Sequence, residues 1–293
     1  MTLPLAAFLA ANPASVLVEI TEAKGSTPRE RGAFMLVSSS AIWGTIGGGQ
    51  FEYMAIDNAR AILAGLGAAV MDIPLGPEIG QCCGGRTKLV FTVVTPEVAT
   101  DLQTRMRREE DTRPEIYLFG CGHVGLALAR ALVPLPFAVT VIETRAEALE
   151  GLPLEVSARL IAMPEAHVAE IAPGGAAVIL THDHALDFLI AERALLRGDL
   201  AYVGMIGSAT KRATFSNWLQ RQTEDRDASA AMMARLTLPV GNVLADGSVK
   251  DKRPAVIAAL VAAELLHRVP AQHPVESVSA RSSVSHAAHG KRW

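Results

Sequence analysis

Short apolar runs of period two dominate the first third of the chain. Val16–Thr21, Ala33–Ser38, Ala41–Ile46 and Thr87–Thr95 are β-branched or apolar stretches bounded by Gly, Pro or Ser, the pattern of strands. Tyr53, Met54, Ile56, Ile62 and Leu63 recur at roughly helical spacing and predict a helix from Phe51 to Leu63. The apolar opening Met1–Ala11 runs into Asn12-Pro13 without a basic start, and reads as a short helix rather than a signal peptide. This part is expected to be a small α+β domain.

From Pro96 to Pro114 the pattern turns charged, with Arg105, Arg107, Arg108, Glu109, Glu110 and Asp111 crowded before Thr112-Arg113-Pro114. A helix running out into a linker explains it, and a domain boundary is placed there. Beyond it strands and helices alternate: Ile116–Gly120, a helix at His123–Leu132, Ala138–Glu143, Ala176–Leu180, a helix near Ala185–Leu196, and Tyr202–Ile206. Such alternation implies a parallel sheet covered by helices, so the fold class is α/β, with a Rossmann-like C-terminal domain. A last amphipathic helix is predicted over Pro254–Leu266. The expected domains are residues 1–110 and 111–270, followed by a tail, 271–293, whose Ser, Ala, His and Arg content predicts disorder.

Composition narrows the function. Half the residues are hydrophobic, enough for real cores, and a net charge of −3 argues against a general nucleic-acid binder. No apolar run reaches the roughly 20 residues needed to cross a bilayer. Cysteine is sparse and odd in number, three in all, which excludes a disulfide framework and points to the cytoplasm.

Against that background Gly80-Gln81-Cys82-Cys83-Gly84-Gly85 stands out. Adjacent cysteines can form a disulfide only across a strained peptide, which leaves two readings: reactive or metal-binding sulfur, or a tight turn holding two small apolar residues. The nearest cation in sequence able to favour a thiolate is Arg86.

Gly120-Cys121-Gly122-His123-Val124-Gly125 follows a predicted strand and opens a predicted helix, the context that gives a GxGxxG match meaning. Gly120 would make the turn, Gly122 admit a phosphate to the amides, and Gly125 let helix and strand pack closely. Glu143 ends the next strand, where an acid can accept ribose hydroxyls. A dinucleotide or another phosphate fits. Thr181-His182-Asp183-His184 sits past a strand at the carboxyl edge, with Asp187 one turn on. Helix capping and ligand hydrogen bonds are favoured there over a His-x-His metal site. Ser208 and Lys211, after the strand that ends in Ile206-Gly207, form a second candidate anion contact. Gly25-Ser26-Thr27-Pro28-Arg29 and Gly44–Gln50, which leads into Glu52, are further glycine loops.

In order and spacing, these segments resemble the XdhC/CoxI family, accessory proteins of xanthine dehydrogenase and related molybdenum hydroxylases, over nearly the whole chain except the tail. The resemblance implies a cytoplasmic chaperone with no turnover of its own. Such a protein binds the molybdenum cofactor as cargo, holds it while a cysteine desulfurase exchanges an oxo ligand for sulfido, and inserts it into xanthine dehydrogenase. Under this reading Cys82 and Cys83 approach the metal, and the cofactor is contacted by Gly84, Gly120, Gly122, His123, Gly125, Glu143, His182, Asp183, His184, Ser208 and Lys211, at a junction between the domains. Expected partners are the molybdenum subunit, the desulfurase and a second copy of the chain, with no nucleic acid and no membrane. Many relatives carry cysteine where this chain has Gln50, so no metal role is carried to that position. The rival readings are an NAD(P)-dependent oxidoreductase, with Glu143 on ribose and His123 or His182 as acid/base, and a docking adaptor that presents its C-terminal helix.

Overall fold

A computed structural model describes residues 3–77, 84–242 and 251–269. The chain divides into two compact units, Met1–Arg108 and Glu109–Trp293.

The first unit is built on an antiparallel sheet of β1 (Ser15–Lys24), β2 (Phe34–Ser38), β3 (Ile42–Gly44), β4 (Val70–Pro74) and β5 (Arg86–Val93), in the order β3-β2-β1-β5-β4. Period-two alternation decides its two faces. Val16, Val18 and Ile20 of β1 join Leu89 and Phe91 of β5 beneath α2 (Gly49–Leu63), which contributes Phe51, Ala55, Ile56 and Ala59. Leu17 and Leu36 point the other way, to α1 (Leu5–Ala11) and to Leu102 of α3 (Pro96–Asp111). β4 lies at a sheet edge with only Ile73 buried, so it carries too weak an apolar signal to be predicted.

The second unit is a six-stranded parallel sheet: β6 (Glu115–Phe119), β7 (Ala138–Glu143), β8 (Ser157–Leu160), β9 (Ala176–Ile179), β10 (Tyr202–Met205) and β11 (Leu236–Thr237). Their order, β11-β10-β9-β6-β7-β8, with every ladder parallel, is the doubly wound Rossmann arrangement. Ile116 and Leu118 pack with α4 (His123–Leu132) and α8 (Pro254–Arg268) on one face. Tyr117 and Phe119 face α5 (His184–Arg197), α6 (Ala209–Thr223) and α7 (Arg226–Arg235) on the other. Strand order reverses at β6, with β7 and β8 added on one side and β9, β10 and β11 on the other, so the turns after β6 and β9 diverge and leave a crevice at the carboxyl edge. Among the described residues no helix is long and apolar enough to cross a membrane.

Candidate functional site

The turn after β6 explains its glycines. Gly120 adopts φ 107°, and a Cβ there would lie 2.6 Å from the Leu180 carbonyl oxygen. A Cβ on Gly125 would lie 2.3 Å from the Gly120 oxygen, so the third glycine lets α4 pack onto the turn. Gly122 is different, because a side chain there would meet nothing within 4 Å. Its face is open. No side chain caps α4, whereas Asp183 caps α5 by accepting from Ala185 N at 2.8 Å and Ser208 caps α6 by accepting from Lys211 N at 3.3 Å. The first amides of α4 are therefore left for an outside acceptor.

Glu143 anchors this turn from the end of β7. It is 3% exposed, and one carboxylate oxygen accepts from Cys121 N at 2.9 Å while the other accepts from Thr144 N at 2.8 Å. The Arg145 guanidinium lies over both oxygens at 3.3 and 3.2 Å. Burial by itself would raise the Glu143 pKa, but the guanidinium and the amides outweigh it and hold the carboxyl down to about 2. Arg145 escaped the sequence reading, although a cation two residues past a strand-end acid is a visible signal.

The crevice is lined by Gly120, Glu143, Thr144, Pro164, Thr181 and His182, and has room for about one water molecule. Of the predicted residues, Gly120, Gly122, His123, Gly125, Glu143, His182, Asp183, His184, Ser208 and Lys211 all sit on or beside the carboxyl-edge turns of this unit. His123, His182 and His184 are exposed. Lys211 instead places its ammonium on the buried Asp187 carboxylate and on the Ile206 carbonyl at 3.0 Å, so its charge is used inside the protein. Among the described residues no group of three or more His, Cys, Asp or Glu is placed to hold a metal ion.

In the first unit three glycine loops converge at one end of the sheet. Gly84 bridges to Ser26, Gly85 lies so close that a Cβ would be 2.1 Å from the Ser26 oxygen, and Gly47 packs on Pro28. Glu52 of α2 ties the Gly44–Gly49 loop together by accepting from Ile46 N at 2.9 Å and Gly48 N at 3.1 Å, and from the Thr45 hydroxyl. Cys82 and Cys83 lie outside the described residues. Arg86, the cation proposed for them, makes a two-pronged guanidinium pair with Asp72 on β4 at 2.7 and 2.9 Å. That pair ties β5 to β4 across the sheet.

Doubly wound topology, an uncapped helix over a glycine turn and a crevice where the strand order reverses define an α/β domain of Rossmann type. A model for the XdhC Rossmann domain matches residues 116–265, and a model for the XdhC and CoxI family matches residues 8–73. The chain belongs to the XdhC and CoxI family. Uncharacterized protein YqeB of Escherichia coli (strain K12) is 26% identical over 261 residues, 85% of this chain but 42% of that relative. The chain thus spans less than half the length of the curated relative. A crystal structure named as a xanthine dehydrogenase from Bacillus halodurans shares the fold, with a TM-score of 0.74 at 17% identity, over 94% of this chain and 97% of its own.

Proposed function

We propose that this protein is an accessory carrier of the molybdenum cofactor, which holds the pterin-bound metal during sulfuration and delivers it to the molybdenum subunit of a xanthine dehydrogenase. Membership of the XdhC and CoxI family supports the accessory role. The single observation that carries the ligand site is the open face of Gly122 beneath the uncapped start of α4. A phosphate suits that donor set, because backbone amides at the positive end of a helix stabilise an anion without a titrating partner. The pterin cofactor carries such a phosphate. His182 beside the crevice offers hydrogen bonds to its polar rings, and His123, His184 and Ser208 stand on the neighbouring turns.

Gly84, Cys82 and Cys83 remain part of the proposal in the first unit, with the thiols as soft ligands toward molybdenum. A cysteine desulfurase is the expected sulfur source, and a pair of chains the expected assembly. The nicotinamide-dehydrogenase reading needs Glu143 for ribose, yet both its oxygens already accept from Cys121, Thr144 and Arg145.

The test is molybdenum and pterin analysis of the protein purified without oxygen from cofactor-producing cells, alongside NAD(H) and NADP(H) titration. Pterin and molybdenum in near-equal amount, lost from a Cys82→Ser/Cys83→Ser variant, support the carrier. Absence of both, together with micromolar nucleotide binding, would replace it with a dehydrogenase.

A further inference from the structure

The turns after β9 and β10 are joined by an ion pair that the proposed ligand contacts do not use. The Asp187 side chain has no exposed surface and that of Lys211 is 8% exposed, and their charged ends meet directly. The second Asp187 oxygen accepts from Thr181 Oγ1 at 2.6 Å and Thr181 N at 3.2 Å. Lys211 also donates to the Ile206 carbonyl. The pair therefore holds two turns at once, one bearing His182 and the other Ser208.

Two close approaches extend the network. A Cβ on Gly207 would lie 2.7 Å from Lys211 Cδ, so the lysine stem runs across a position only glycine leaves free. At the other end a Cβ on Gly120 would lie 2.8 Å from Thr181 N, so the glycine turn rests on the peptide that Asp187 holds. Gly120, Thr181, Asp187, Lys211 and Gly207 thus form one chain of contacts through the turns after β6, β9 and β10.

Stability alone does not explain this arrangement. Taking two charges out of water is costly, and apolar side chains of similar volume often serve a core as well or better. We propose that Asp187 and Lys211 are positioning residues, which fix the Thr181–His184 turn against Gly120 and so set the shape of the crevice. This rests on the crevice being the cofactor site.

The test replaces the pair with apolar residues, Asp187→Leu with Lys211→Met, and compares three readouts with the parent. The urea midpoint should fall, because Thr181 N and Oγ1 lose their acceptor and the Ile206 carbonyl its donor, so exchange is compared at equal global stability. Amide exchange at Cys121, Asp183 and Ala185, whose own N–H groups donate to neither residue, should quicken at least tenfold. Retention of the pterin cofactor, prepared without oxygen, should weaken at least tenfold. Unchanged exchange at those amides, or parental cofactor affinity, would overturn the proposal. If the parent itself retains no pterin, the reading of the crevice fails while the exchange data still decide the positioning role. Should the apolar pair prevent folding, Gly207→Ala takes its place: it pushes on the lysine stem with both charges kept, and is expected to loosen the same amides.

Discussion

Replacing Glu143 with Gln tests how the glycine turn is anchored. The carboxylate is 3% exposed and receives the amides of Cys121, Thr144 and Arg145 as well as the Arg145 guanidinium. Despite burial, these donors pull its pKa from 4.5 to about 2. A carboxyl depressed on folding contributes stability that is complete above its ordinary range and is lost as pH falls from about 4.5 toward 2. A shift of that size corresponds to ~3 kcal/mol at neutral pH, shrinking to about 1 kcal/mol near pH 3. Glutamine keeps the shape but turns an NH2 group toward donors that need an acceptor, which leaves a buried amide unsatisfied. We expect Glu143→Gln to cost the second unit about 2–4 kcal/mol at neutral pH, with the gap to the parent narrowing on acidification. Urea titrations followed by circular dichroism at about pH 7, 5 and 3.5 measure it. A variant as stable as the parent at neutral pH, or a gap that widens toward acid, would refute the reasoning.

Two further predictions concern the same turn. Gly125→Ala should destabilise by about 1–3 kcal/mol or more, because the new methyl meets the Gly120 carbonyl oxygen, whereas Gly122→Ala should leave the melting temperature unchanged and reduce pterin retention. Thermal scans and pterin analysis of the two variants separate the roles. The Cys121 thiol is 4% exposed, and burial, with the Glu143 charge beside it, pushes its pKa up. It should resist iodoacetamide in the native protein and react after denaturation, as read by peptide mass spectrometry; rapid native labelling would contradict this.

Much of the Rossmann sheet was legible because its strands are buried on both faces and its helices are amphipathic. α4 and β7 begin and end where the apolar pattern places them, at His123–Leu132 and Ala138–Glu143. α7 was invisible for the opposite reason: its residues, Arg-Asp-Ala-Ser-Ala-Ala-Met-Met-Ala-Arg, carry no apolar stripe, and it is held by the buried Met232 and Met233. β8 is an edge strand with its side chains largely exposed, so no alternation marks it. The glycine fingerprint and the strand-end acid were legible because a backbone turn without Cβ and its spacing are properties of neighbouring residues.

The use of each charge was another matter. Glu143 was expected to face a ribose and binds its own turn; Lys211 was expected to face an anion and is buried on Asp187. Local order along the chain was enough to determine the alternating elements and the phosphate-type turn, since both depend on patterns within a few residues. Which ionised groups remain free for a ligand was decided only by tertiary structure, because a charge is spent on whichever partner folding brings within hydrogen-bond reach. For Lys211 that partner lies 24 residues away in sequence.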